Sequence, residues 1–590
     1  MFGDLWHRVN LFVRQLLHNE QLLMLVLAVV MGALAAYAAI GFRFLYLLVQ
    51  GLGLGTFADT LYIHAASLPA WQIIAVPAIG GLFIGLFIHF FMPNRQPQGV
   101  ADVMEAAALR SGRMTLRDGL GAAVVSAASI GVGASVGREG PVVHLGASLC
   151  SALARSLGLS RSLVINLLGC GVASAIAVSF NAPIAGTFFA LEVIIGHYAL
   201  TAFAPIVLAS VTGTVIARVQ FGDFPAFVIP ANPIAHWLEF PAFVLLAIVC
   251  AITACILMWS ISFAQKTSEK VPLPRWSHAM FGGALVGVIA LAFPQVLGVG
   301  YGTTDAALKG SLEFELLIML IVAKTAAVAI SLGSGFGGGV FSPSLFVGAM
   351  LGGAFGIVAT SFFPDMSSGH TAYTLVGMAA VAGAVLGAPI STFLIVFELT
   401  RDYHVTIAVM VAVVIASMLT QAMWGGSFFT WQLEKRGTSL KRGREEGLLA
   451  ETHVGDIMSG LFVTVSPAAG LKAIRNALHS APHAQIFVVD TDGKLFGTIT
   501  LGDLSDAAFD PNCEDVINAA DVARTHPPVL TPGVDLDGAL KLMEDSHEEH
   551  IAVVKDRDSM EVLGVVHEVD VTLAYNRALM RARAEEHGEL

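Results

Sequence analysis

Two glycine-rich interruptions in an otherwise apolar chain restrict its fold more than any other feature. The first runs from Ser129 to Pro141 and holds Gly131, Gly133, Gly137, Arg138, Glu139 and Gly140. Pro141 suits the first turn of a helix, where its missing N–H costs nothing. The glycines before it disfavour helix and leave backbone amides free. A helix N-terminus with free amides and the positive dipole end binds anions. Within a membrane, broken backbone is tolerated only inside protein or beside a water-filled cavity. The stretch reads as an anion site at membrane depth, with the acid Glu139 beside it.

The pattern recurs. Gly131, Gly133, Gly137, Pro141 and Gly146 return as Gly333, Gly335, Gly339, Pro343 and Gly348, each 202 positions later. Ala182-Pro183-Ile184 with Glu192 returns as Ala388-Pro389-Ile390 with Glu398, 206 positions later. Paired, interrupted apolar segments mark transporters built from internal repeats, with the site at the repeat interface. Close helix packing through glycine explains one such run better than an anion site does. It does not explain two in register, each ending in proline.

With 55% hydrophobic residues, 13% charged ones and a mean hydropathy of +0.74, the chain reads as an integral membrane protein with room for a soluble domain. A net charge of −12 argues against nucleic acid as a partner. Cys150, Cys170, Cys250, Cys255 and Cys513 lack metal-site spacing and read as apolar packing residues. Residues 1–20 read as an amphipathic, interfacial start without a cleavable signal. Gln21–Ile40 and Trp71–Met92 have spanning length. Three basic links, Arg110–Arg117, Lys266–Arg275 and Lys435–Arg444, are assigned to the cytoplasmic face by the positive-inside rule. Between Gly119 and Trp424 the apolar segments vary in length, as tilted and half-spanning helices do. The predicted division is a transmembrane domain over 1–444 and a soluble domain over 445–590.

In the soluble part, strand-like runs Ile486–Val489, Phe496–Ile499, Ile551–Val554 and Val562–Val566 alternate with helical runs Leu471–His479 and Leu536–Asp545. Gly497 to Asp503 echoes Gly564 to Asp570, so the tail is predicted to be a tandem α/β repeat.

These residues carry a resemblance. Gly137-Arg138-Glu139-Gly140-Pro141 resembles the G-[KR]-E-G-P signature of CLC chloride channels and proton/chloride antiporters. Gly339-Val340-Phe341-Ser342-Pro343 resembles that family's G-x-F-x-P signature, and the tail resembles a pair of CBS domains. The resemblance implies a polytopic α-helical membrane protein of inverted repeats with a cytoplasmic α/β CBS tandem. It implies a homodimer in the plasma or bacterial inner membrane, with chloride as the bound ion and no required cofactor. Glu139 would be the gate. Val340 and Phe341 amides would hold the central anion, with Gly137, Arg138 and Gly140 beside it. A third element falls at Gln98–Asp102, where Gln98 replaces the family's serine, Gly99 follows it, and Ala101 replaces a proline. The family's pore tyrosine aligns with Phe429, and its inner proton-transfer glutamate with Val193. Gln98 still donates from its amide; Phe429 cannot donate, and Val193 cannot carry a proton.

Glu139 also reads as a helix-start carboxylate satisfied by free amides, and this coincides with gating: so held, it fills the place of an anion until protonated or displaced. Arg138 either adds positive potential to the pathway or neutralises a neighbouring carboxylate. Glu192 and Glu398 read as structural groups at helix ends, and His144 as a packed neutral histidine. In the tail, Thr500 and Asp503 fit the Ser/Thr-x-x-Asp pattern that binds adenosine ribose in CBS pairs, implying an adenine nucleotide at one site. The second copy has His567 in place of the hydroxyl residue. His547-Glu548-Glu549-His550 reads as a solvated helix end, because nothing completes a metal ligand set. The expected function is passive, gated anion transport, favoured by Val193. The alternatives are a proton-coupled antiporter and selectivity for fluoride, nitrate or bromide. A CBS-bearing divalent-cation channel would need clustered carboxylates or carbonyls where this chain offers amides. No triad, phosphate loop or metal cluster suggests an enzyme.

Overall fold

The computed structural model describes residues 20–587 apart from 59, 93–94, 224–226, 228–235, 439–451, 482–483 and 505–515. The interfacial start, Cys513, most of the link Lys435–Arg444 and the expected boundary at 444 lie outside the described residues. The chain forms two compact units, Met1–Leu440 and Lys441–Leu590.

Among the described residues, nine helices of the first unit are long and apolar enough to cross a membrane. Pro183–Ile195, His370–Leu386 and Pro389–Thr400 are shorter apolar helices, giving the uneven lengths that the sequence suggests. The first helix, Glu20–Leu54, runs 35 residues, well past the expected Ile40. Residues 41–54 stay apolar except for Arg43 and Gln50, and Arg43 lies over the Phe221 ring at 4.6 Å. At 1.5 Å per residue such a helix is about 50 Å long and must tilt in a hydrocarbon layer of about 30 Å.

The two repeats meet through bonds that come in matched pairs. Gly137 N–H donates to Gly339 O at 2.7 Å, and Gly339 N–H donates back to Gly137 O at 2.8 Å. Ser135 N–H reaches Ser331 Oγ at 3.0 Å, and its counterpart Gly337 N–H reaches Ser129 Oγ at 3.0 Å. Glu398 accepts from Ile184 and Ala185 N–H at 2.9 and 2.8 Å. Glu192 accepts from Ile390 and Ser391 N–H at the same two distances. Each carboxylate thus caps the Pro-initiated helix of the other repeat, which satisfies orphan amides at a helix start. Reciprocal exchange of this kind is what a two-fold relation between inverted repeats produces. The turns before the signatures use glycine where the backbone goes left-handed, at Gly133 (φ +94°) and Gly335 (φ +97°).

Glycine also sets the crossings behind each signature. A Cβ on Gly146 would lie 2.7 Å from Gly171 O, and one on Gly348 would lie 2.4 Å from Gly377 O. Glu139–Ser156 therefore packs backbone to backbone on Arg161–Phe180, and Phe341–Phe362 does so on His370–Leu386.

In the second unit, Thr464–Val465, Gln485–Val489, Leu495–Thr500 and Arg524–Thr525 form one sheet in that order. Val529–Leu530, His550–Val554 and Val562–His567 form a second. In each sheet the first strand is parallel to its neighbour and an antiparallel hairpin follows, so the tail is a tandem repeat as predicted. Val454, ahead of the first half, packs in the core of the second with Leu530, Met543 and Val566. Ala519, ahead of the second half, packs with Ile474, Ile486 and Ile499 of the first.

Candidate functional site

Glu139 opens the helix Glu139–Ser156, yet the amide holding its carboxylate belongs to the other repeat. Oε2 accepts from the Ser342 hydroxyl at 2.5 Å and from Ser342 N–H at 3.3 Å, in the first turn of Phe341–Phe362. Oε1 accepts from the Tyr301 hydroxyl at 2.6 Å. The side chain is 1% exposed. The Ser342 hydroxyl and amide, at a helix start, are donors of the kind that bind small anions.

A cavity of about 480 Å³ leads to this carboxylate. Gln98, Gly99, Glu139, Gly140, Val340, Phe341 and Phe429 all line it, so the structure gathers these seven expected site residues from four separate stretches of sequence. Phe341 packs on Phe180 and Phe189 with ring centroids 5.1 and 6.0 Å apart, giving one end an aromatic wall. Gln265, Glu269, Arg275, Lys435 and Arg436 line another part, bringing two of the basic links to the same cavity.

Other expected residues serve differently. Gly137 does not present its N–H to an anion, because Gly339 O takes it. It is a joint between the repeats, and a Cβ there would lie 3.0 Å from Gly339 O and 3.1 Å from Glu139 Oε2. Gly99 N–H is likewise taken, by Asp102 Oδ2 at 2.7 Å, while Asp102 pairs with Arg436 at 2.7 Å. That helix start is capped by the chain's own carboxylate. Arg138 does not line the large cavity. It donates to Tyr46 Oη at 3.1 Å and to Ser179 O at 3.3 Å, lies over the Tyr301 ring at 4.5 Å, and brings Nε to 3.8 Å from Glu139 Oε1. Neutralising the neighbouring carboxylate, one of its two expected roles, is the contact made. Val193 is buried in the π-helical turn Ala190–Ile195, outside the cavity lining. Glu192, one position earlier, is committed to its capping bonds. His144 is buried, with neither ring nitrogen hydrogen-bonded among the described residues.

Sequence reasoning did not single out Ser342 or Tyr301. Ser342 stands inside a quoted signature, where a hydroxyl beside the proline could have flagged it. Tyr301 follows the N-cap Gly300 of the short helix Tyr301–Leu308, as Val100 follows Gly99 at the start of Val100–Leu109, and the first repeat has no tyrosine there. Nearby, fully buried Lys324 donates to Val296 O at 3.0 Å and Gly298 O at 2.9 Å, pinning the loop that carries Tyr301.

In the tail, Asp503 Oδ2 accepts from Thr500 N–H and hydroxyl, both at 2.8 Å, and Oδ1 accepts from Arg524 at 2.6 Å. Burial raises the Asp503 carboxyl, but the Thr500 and Arg524 hydrogen bonds outweigh it and leave it below its ordinary value. Arg524 also pairs with Glu548 at 3.0 Å, so one guanidinium joins the two halves of the tail. His567 packs edge-on against His550, with centroids 4.8 Å apart.

Inverted repeats, each contributing an interrupted helix start to one buried carboxylate and one cavity, define an anion-transport membrane protein. A family model described as voltage gated chloride channel matches residues 80–421, and the CBS domain model matches 454–510 and 519–577. The chain belongs to the CLC family and carries a pair of CBS domains. It is 31% identical over 417 residues to a putative chloride channel protein ClcB-like of Ralstonia nicotianae, covering 70% of this chain and 97% of that one. It is 28% identical over 409 residues to the voltage-gated ClC-type chloride channel ClcB of Escherichia coli, covering 69% and 97%. Among solved structures it resembles a slow cyanobacterial Cl⁻/H⁺ antiporter, with TM-score 0.62 at 20% identity over 70% of this chain and 97% of that one. It also resembles a eukaryotic CLC transporter, with TM-score 0.57 at 20% identity over 94% and 99%. At that identity these two likenesses concern the fold.

Proposed function

We propose that this protein conducts chloride passively, with Glu139 as the gate. The observation that carries the reading is the Glu139 carboxylate lodged against Ser342 N–H at the start of the opposing repeat's helix. A halide approaching through the 480 Å³ cavity competes for those donors, and protonation removes the charge that holds the carboxylate there. Val340, Phe341, Gly140 and Gln98 remain the proposed contacts for an anion within the cavity. Arg138 acts through Glu139 rather than on the anion. Phe429 adds an aromatic edge without a hydroxyl donor.

Passive conduction is favoured over antiport because the inner proton-transfer position is Val193 and the neighbouring Glu192 is already a helix cap. The competing reading, proton-coupled exchange, draws on the same cavity, which gives water a route to Glu139. The deciding experiment reconstitutes the purified protein in liposomes under combined chloride and pH gradients. The reversal potential should follow the chloride gradient alone. Uphill proton movement at a fixed ratio to chloride would make the protein an antiporter. The further proposals are a homodimer in the bacterial inner membrane and a cytoplasmic tail that binds an adenine nucleotide at Thr500 and Asp503. Such a nucleotide must compete with Arg524 for the Asp503 carboxylate.

A further inference from the structure

We propose that Tyr301 is a fixed latch that holds Glu139 closed, a positioning role resting on the gate reading above. Two cavities approach the gate. The large one is lined by Glu139 and not by Tyr301. The small one, about 20 Å³, is lined by Tyr301 and Arg138 and not by Glu139. The 2.6 Å bond from the Tyr301 hydroxyl to Glu139 Oε1 is therefore the partition between them.

The latch is built rigidly. The Tyr301 ring packs against the Arg138 guanidinium, 4.5 Å from its centroid, and against the tilted ring of buried Phe227 at 5.1 Å. The preceding backbone is tied down by Lys324 through the Val296 and Gly298 carbonyls, and Gly298 N–H donates to Gly133 O at 3.2 Å. Gly133 lies in the turn before the first signature, so the latch loop is fastened to the loop that bears the gate. A ring held by two packing partners, on a pinned loop, does not swing with the carboxylate. Opening therefore breaks the Tyr301 bond, and the residue that moves is Glu139.

Among the described residues, the charged and titratable groups meeting the carboxylate are Arg138 and Tyr301, with the Ser342 hydroxyl and amide beside them. Arg138 cannot replace the latch, because its Nε stands 3.8 Å from Oε1, beyond hydrogen-bond distance. A halide in the vacated place can accept from the same hydroxyl. The carboxylate is the stronger base and loses more when that donor is removed, so deleting the hydroxyl shifts the balance toward opening.

The test is Tyr301→Phe in the full-length protein reconstituted in liposomes, with chloride efflux followed from pH 4.5 to 8. The variant removes one oxygen and keeps the ring's contacts with Arg138 and Phe227. Efflux at pH 7 should rise about tenfold and the half-maximal pH should move up by about one unit, for a lost hydrogen bond of ~1.4 kcal/mol, near the low end for a charged partner. In a Glu139→Gln background the same substitution should change efflux less than twofold, the non-additivity expected of coupled groups. If Glu139→Gln flattens the pH profile while Tyr301→Phe leaves efflux and midpoint unchanged, the latch is refuted and the gate stands. If Glu139→Gln keeps the wild-type profile, the gate reading itself fails. A tenfold effect of Tyr301→Phe that persists in the Glu139→Gln background assigns Tyr301 a role independent of Glu139 and also overturns the latch.

Discussion

Replacing Glu139 by glutamine removes the charge while keeping shape, and the structure sets the size of the effect. Three donors converge on the carboxylate: the Ser342 hydroxyl, the Ser342 amide and the Tyr301 hydroxyl. Bonds to a charged group are worth roughly 1.5–3 kcal/mol and neutral ones about 0.5–1.5 kcal/mol. Glutamine offers one acceptor oxygen and turns an NH₂ toward at least one of the remaining donors. Taking low values, three charged bonds at ~1.5 kcal/mol give way to two neutral bonds at ~0.75 kcal/mol, a loss of about 3 kcal/mol. That lowers occupancy of the blocked position on the order of 100-fold. Chloride efflux from proteoliposomes should then be as high at pH 8 as at pH 4.5, while the wild type slows as pH rises. A Glu139→Gln protein whose efflux falls with pH as steeply as the wild type would refute the reasoning, however large its absolute flux.

Phe429→Tyr places a hydroxyl on a ring that lines the large cavity, and calorimetry should show chloride binding tighter by about 1.5 kcal/mol or more; equal affinity would remove Phe429 from the anion contacts. Glu398→Gln and Glu192→Gln should each lower thermal stability by about 1–2 kcal/mol through a weakened cap. Glu192→Gln should cost more, because the Ser391 hydroxyl also donates to Glu192, at 2.5 Å. Asp503→Asn should destabilise the tail at pH 7 and flatten its acid limb, read from thermal unfolding of the full chain at several pH values. A carboxyl depressed by folding contributes stability above its unfolded pKa of about 3.9, and that contribution fades as pH falls through the lower folded value.

Much of this architecture was legible because it is written twice. The 202-residue spacing between glycines became the Gly137–Gly339 pair of bonds and the matched bonds from Ser135 N–H to Ser331 and from Gly337 N–H to Ser129. Glu192 and Glu398 were recognisable as helix-end groups, although not as caps on one another's repeat. What the sequence concealed depends on contacts between distant positions that occur once. Tyr301 is 162 residues from Glu139, and the matching helix start of the first repeat carries Val100 instead of a tyrosine, so neither periodicity nor spacing points to its hydroxyl. Free amides can be inferred from glycine, but not which of them a neighbouring acceptor has already taken, as Gly339 O takes Gly137 N–H and Asp102 takes Gly99 N–H. The first helix ran longer than expected because one arginine over an aromatic ring did not break it.

The crossed capping has a consequence for synthesis. Ile184 and Ala185 wait for Glu398, which lies more than 210 positions downstream. At a synthesis rate of about 5–20 residues per second, the first repeat stands in the bilayer for roughly 10–40 seconds before that carboxylate exists. Over that interval the amides opening the Pro183 helix have only water or lipid headgroups to satisfy them. A chain stopped after the first repeat therefore carries an exposed polar helix start, a mark by which quality control can tell a half-made protein from a finished one.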